Sequence, residues 1–293
     1  MKAETVQPAD NTSAPPATPR VRRVGCVSFL NARPLIDGLD EKPDLLVKFD
    51  VPSRLLDDLE AGLVDVALCP VIDVQRSRQE LEVVPAGGIG CDGTTLTVRL
   101  FSQSPLEQID RVYADTDSHT SIVLLQIILA KRFGLRPPLI DYHAREHVAE
   151  HRPIDWPPAV LLIGDKVVTD SPPAVRYPHQ LDLGHAWREL TGLPFVFAVW
   201  LARRGADLGD LPRTLDETRR RNATRIDAIV AQHAEAHGWP ADLAQQYLGR
   251  WLRYEIGPKQ VEAMRRFFEL AGELGLIDRL RPLHVRSVGS RVG

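Results

Sequence analysis

Cysteine is scarce in this chain, with three among 293 residues, at positions 26, 69 and 91. They are far apart, odd in number and form no C-x-x-C pair. That argues against a disulfide framework and a thiolate zinc site, and points to a reducing, cytoplasmic setting. Long apolar runs are missing as well. No stretch approaches the roughly 18 uninterrupted apolar residues of a membrane-spanning helix. The opening MKAETVQPADNTSAPPATPR has no apolar h-region, so no secretory signal is expected. Its Pro, Ala, Ser and Thr content predicts a disordered tail over residues 1–20. A basic excess is lacking too: 36 Lys and Arg stand against 39 Asp and Glu, for a net charge of -3. This speaks against nucleic acid or an anionic membrane as partner. Neither a G-x-S-x-G elbow nor a P-loop is present, which removes two common catalytic frameworks.

What is present is an alternation of strand-like and helix-like segments, in a chain long enough for two lobes of ordinary size. Residues 23–29 (RVGCVSF), 45–49 and 65–69 (DVALC) read as strands. Ser53 is a candidate N-cap for a helix ended by Gly62. This rhythm predicts a mostly parallel sheet with crossover helices. Further strands are expected at 96–102, 111–114 and 159–163. A helix is expected at 120–133, where Ile122, Leu125, Ile128 and Leu129 recur at helical spacing. The apolar run 194–201 (PFVFAVWL) reads as a central strand or a crossing between lobes. Helices are expected over 215–236, 241–252 and 259–274. The crossings near 96–102 and 194–201 bracket a middle block. The expected lobes are therefore residues 21–100 with 201–293, and residues 101–200, with the ligand in the cleft between.

Four motifs bear on chemistry. Asn31 lies just past the first strand, where an amide serves either a ligand, as donor and acceptor at once, or a turn. The string Thr116-Asp117-Ser118-His119-Thr120-Ser121 precedes the long helix. Hydroxyls and free N–H groups at a helix start suit a carboxylate, and equally form a simple cap. Residues 88–93 (GIGCDG) match G-x-G-x-x-G but lead into a strand rather than a helix. They are expected to form a tight loop near the cleft and not a nucleotide site. His143-Ala144-Arg145-Glu146-His147 matches H-x-x-E-H, with His151 four residues on. The surrounding charges and prolines favour a solvated surface helix over a metal site.

Taken together, in order, VGCVSFLNARPL at 24–35, DVPSRLLDDLEAGLVDVALCPV at 50–71, GIGCDG at 88–93, LTVRLFS at 96–102, DTDSHTSIVLL at 115–125, LLIGD at 161–165 and DLGHAWRELTGLPFVFAVWLARR at 182–204 resemble the chorismate dehydratase family of the futalosine route to menaquinone. The resemblance covers residues from about 22 to about 270. It implies an α/β, type II periplasmic-binding-protein-like fold: two α/β lobes joined by two crossing strands, with a cleft between. It also implies a substrate, chorismate, handled without a metal or organic cofactor. By motif match Asn31 is the catalytic asparagine, Thr97 holds a substrate carboxylate where the family usually has serine, and Ser118, His119, Thr120 and Ser121 form the anion site. His119 stands where arginine is common. Asp165 reads as a secondary polar group or as a loop or cap aspartate. The matched motifs hold no strong base, so the substrate's own enolpyruvyl carboxylate is the expected proton acceptor. The alternatives are the sister enzyme that makes dihydroxynaphthoate on a related fold, and a non-catalytic small-carboxylate binder. The C-terminal helices are a candidate homodimer surface.

Overall fold

Two sheets organise the chain. The computed structural model describes residues 20–144 and 155–287. The tail expected over 1–20, Arg20 apart, lies outside them, as do Arg145, Glu146, His147 and His151 of the H-x-x-E-H segment.

The strands are β1 (Arg22–Cys26), β2 (Leu45–Phe49), β3 (Val66–Pro70), β4 (Leu81–Cys91), β5 (Val98–Ser102), β6 (Val112–Asp115), β7 (Leu139–Tyr142), β8 (Ala159–Ile163), β9 (His179–Asp182), β10 (Phe195–Arg203), β11 (Leu252–Arg253) and β12 (His284–Val285). The helices are α1 (Arg33–Ile36), α2 (Pro52–Glu60), α3 (Asp73–Arg76), α4 (His119–Phe133), α5 (Lys166–Thr169), α6 (Leu183–Thr191), α7 (Leu211–Ala223), α8 (Ile226–His233), α9 (Ala241–Gln246) and α10 (Pro258–Glu273). A seven-stranded sheet runs β11-β4-β10-β3-β1-β2, with β12 also on β4, and a five-stranded sheet runs β7-β6-β8-β5-β9. The expected crossovers give the parallel pairs β1–β2 and β1–β3. The strand that returns from the smaller sheet, β10, is antiparallel to both β3 and β4.

The chain is thus α/β with two sheets, one per lobe. It passes between them at 92–97 and again at 183–194, next to the two runs read as crossings. The second passage is largely helix α6. The apolar run of β10 reflects its central position, with buried residues pointing to both faces of the sheet. Trp187 of α6, Phe195 of β10 and Phe267 of α10 pack edge to face, at ring separations of 5.1 to 6.1 Å.

Three local expectations need correction. GIGCDG is no tight loop: β4 runs through to Cys91. A Cβ on Gly88 or Gly90 would lie 2.6 Å from the carbonyl oxygens of Ala198 and Phe195, so these glycines let the β10 backbone press against β4. Ser53 is not the N-cap of its helix, which starts one residue earlier at Pro52, a favoured first position. The helix expected over 215–236 is broken at Thr224 and Arg225. There the Thr224 hydroxyl bonds back to the Arg221 carbonyl, and buried Asn222 turns its amide to the carbonyl of Asp37.

Candidate active site

Asn31 occupies a single 3-10 turn (Leu30–Ala32) between β1 and α1, in whose first turn Pro34 sits. Its amide oxygen is buried and meets no hydrogen-bond donor among the described residues. Such an acceptor costs about 1–3 kcal/mol when left unpaired, so an orphan on a residue that lines a cavity points to a ligand.

Thr97 reaches the same cavity by an unusual backbone path. Leu96 sits at φ 66° and is the only non-glycine residue with positive φ among those described. The Thr97 N–H donates to the Thr95 carbonyl at 2.8 Å, closing a three-residue turn around Leu96. Turns of this kind are rare and strained, at about 1–3 kcal/mol. Asp182 holds the turn in place: its carboxylate accepts from Leu96 N at 2.8 Å and from Thr95 N at 3.1 Å, while capping α6 through His185 N at 3.0 Å. The strand expected to begin at 96 therefore begins at 98, and Thr97 is freed to face the cavity.

Tyr247 completes the group and was not singled out in the sequence. Its hydroxyl lies 2.6 Å from the Thr97 hydroxyl. Burial pushes the phenol well up, with the Thr97 hydroxyl and the Asn31 amide pulling the other way, so it stays protonated. Tyr247 opens a π-helical turn, Tyr247–Trp251, in a stretch whose periodicity reads as one α-helix. Such turns gather at functional sites. Its ring stacks on Trp239 at 4.7 Å and 16°.

Ser118 and Ser121 form the remaining polar wall. Ser118 caps α4 by accepting from Ser121 N at 3.2 Å, and its hydroxyl donates to the Ser121 hydroxyl at 2.9 Å. Asn31, Thr97, Ser118, Ser121 and Tyr247 thus share one cavity of roughly 600 Å³, part of it open to solvent, closed by apolar residues such as Phe29, Ile163 and Phe197. Among the described residues no side chain lining it is charged. Lys166, beside this wall, is committed to Asp115 and Asp117 at 2.7 Å each. The three cysteines are buried and free, and burial pushes the Cys26 thiol up to about 12.

His119 and Thr120, expected beside these serines, do not line the cavity. Both join the lobes instead. The His119 Nδ1 lies 3.0 Å from the Asp73 carboxylate, and the Thr120 hydroxyl accepts from Ile72 N at 3.3 Å. Helical geometry explains this: successive residues point about 100° apart, so four consecutive positions cannot all face one ligand. Asp73 is fully buried and one of its oxygens has no hydrogen-bond partner. Burial pushes its carboxyl above the ordinary range, against the pull of His119. A carboxyl raised in this way favours the fold most below its unfolded value near 4, and that favour is lost as pH rises through the folded value. Asp73→Asn removes the titration. Its Tm minus that of the parent is therefore expected to grow from about pH 4 to about pH 7. Thermal scans across that range check this, and a constant difference would refute it.

The geometry can be set beside known proteins. A family described as menaquinone biosynthesis matches residues 22–273. The chain is 30% identical over 237 residues to the chorismate dehydratase of Thermus thermophilus, covering 76% of this chain and 85% of that one. Among solved structures, a protein from Archaeoglobus fulgidus matches with a TM-score of 0.66 at 14% identity, over 87% of this chain and 98% of that one. The periplasmic aliphatic sulphonate binding protein of Escherichia coli matches at 0.60 and 17%, over 89% and 95%. These two likenesses establish the fold, which is periplasmic-binding-protein-like.

Proposed function

The chain belongs to the chorismate dehydratase family of menaquinone biosynthesis, and from that premise we propose that it removes water from chorismate to give 3-(1-carboxyvinyloxy)benzoate, in the cytoplasm, as a step of the futalosine route. The observation that carries this reading is the shared cavity, lined by Asn31 with its unpaired amide oxygen, by the Thr97–Tyr247 hydroxyl pair and by the Ser118–Ser121 wall.

Chorismate carries a ring carboxylate, an enolpyruvyl ether at C3 and a hydroxyl at C4. Loss of H3 and of the C4 hydroxyl makes the ring aromatic, and the change is redox-neutral. The ring carboxylate acidifies H3 through the conjugated double bond. H3 and the leaving hydroxyl are cis, which favours a stepwise path through a carbanion. The Ser118 and Ser121 hydroxyls at the start of α4 suit one substrate carboxylate, by hydrogen bonds and the helix dipole. Thr97, with Tyr247 behind it, suits the other polar edge, and Asn31 orients the enolpyruvyl arm or the C4 hydroxyl.

The uncharged lining also bears on the base. Among the described residues no lining side chain is a strong base. A substrate carboxylate taken out of water into such a wall becomes more basic, because desolvation disfavours its charged form. The enolpyruvyl carboxylate, already tethered beside H3, is then the proton acceptor. Its proton leaves with the C4 hydroxyl as water.

Incubating purified protein with chorismate and following the product by chromatography and mass tests this directly. Loss of one water with a new aromatic absorbance supports it. Binding by calorimetry without turnover would move the chain to the small-carboxylate binders. A second expectation follows from the charge-free lining. Salt screens full charges far more than buried hydrogen bonds. The KM for chorismate is therefore expected to change less than about twofold between 20 and 500 mM sodium chloride. A steep rise would mean that a cation outside the lining governs binding.

A further inference from the structure

We propose that Asp165 is a positioning residue that reaches across the cleft and sets all three members of the Asn31–Thr97–Tyr247 group in register. This rests on the proposed dehydration and assigns part of its machinery. Asp165 follows β8 of the smaller sheet and precedes α5. An aspartate there is ordinarily a helix cap, yet its side chain makes no cap hydrogen bond. The carboxylate faces the other lobe instead. One oxygen accepts from the Trp239 indole N–H at 3.0 Å. The other lies 3.0 Å from the His237 Nδ1 and 3.4 Å from the Leu30 N–H. The side chain is 18% exposed and that of His237 16%, so these contacts are largely shielded from water.

Two of these partners, Leu30 and Trp239, lead to the site in one further step. Leu30 is the neighbour of Asn31 within the same 3-10 turn. Trp239 stacks on Tyr247, whose hydroxyl meets that of Thr97. On its own lobe, the adjoining Gly164 N–H donates to the Thr97 carbonyl at 2.9 Å. The ring of Phe29 lies over Gly164, 3.5 Å from where a Cβ would stand, so the same corner is also packed across the cleft. A single carboxylate therefore sits one link from the amide, one link from the phenol and next to the residue that holds the threonine. Removing it unties the Asn31 turn and the Trp239 loop from the smaller lobe. The site residues themselves are left intact.

The test compares Asp165→Ala with the parent by steady-state turnover of chorismate and by hydrogen exchange of backbone amides. A displacement of about 1 Å in a reacting group costs up to a hundredfold, so kcat is expected to fall about tenfold to a hundredfold. Amides at 30–32 and 237–247 are expected to exchange about tenfold faster, while those of β8 stay protected, because the opening is local. Asp165→Asn keeps an oxygen for Trp239 and is expected to recover part of both losses. A kcat within twofold of the parent overturns the proposal. So does a loss of kcat with unchanged exchange at 30–32, which would mean direct action on substrate. Exchange that quickens everywhere, β8 included, overturns it too, since that is general destabilisation. If the parent itself leaves chorismate unchanged, the dehydration reading fails, and the exchange at 30–32 and 237–247 still decides whether Asp165 holds these segments.

Discussion

Asn31→Ala is expected to lower kcat for chorismate by about 100- to 1000-fold, the range seen when one preorganised polar group of a reaction site is removed. Stability should change little with it. The amide oxygen of Asn31 takes no part in holding the fold, because no donor among the described residues reaches it, and only the contact of the amide with the Tyr247 phenol is lost. Removing an unpaired buried acceptor relieves a cost of about 1–3 kcal/mol, which offsets the lost packing of the side chain. The variant should therefore melt close to the parent temperature while being nearly inactive, the usual trade between stability and activity at a functional position. Paired thermal scans and initial rates check both halves. Near-normal kcat would remove Asn31 from the site. A large drop in Tm would mean that its role is structural.

Asp182→Ala is expected to damage stability most. Its carboxylate serves the N–H groups of Thr95, Leu96 and His185 together, and Thr95 is almost fully buried. Losing the α6 cap costs about 1 kcal/mol, and orphaned buried donors add about 1–3 kcal/mol each, so the sum is near 3 kcal/mol or more. For a chain of this size that lowers Tm by roughly 5 °C or more. Turnover per folded molecule should fall as well, because Asp182 keeps the strained Leu96 turn from relaxing and so aims Thr97. Calorimetry with rates measured well below Tm separates the two effects. A variant that melts normally would show that the turn holds itself.

Much of the architecture was legible because burial leaves a periodic trace. The strand at 159–163 and the helix ending at Phe133 stand where the apolar spacing puts them. The family match of Asn31, Thr97, Ser118 and Ser121 picked residues that the structure gathers in one cavity. What was not legible depends on contacts distant in sequence. Glycines 88 and 90 look like loop formers until β10 is seen against them. Asp165 looks like a cap until its partners, more than 70 residues away in two cases, are known. Tyr247 falls in an apolar helical pattern, and nothing in that pattern shows a π turn. His119 and Thr120 belong to the right string, but the helix turns them away from the cavity and toward Asp73 and Ile72.

The strand order of the larger sheet also dictates an assembly sequence during synthesis. The last long strand to be made, β10, lies between β3 and β4, which do not pair with each other. Until residue 203 has left the ribosome, β3 and β4 each keep a bare apolar edge, the kind of surface that recruits other chains. The strands of the smaller sheet all lie between residues 98 and 182, so its pairing takes no strand from either end of the chain. It is the segment placed to fold first, and the larger sheet closes around a partner already formed. Long-range closure of this kind is slow, so those edges stay open until β10 arrives.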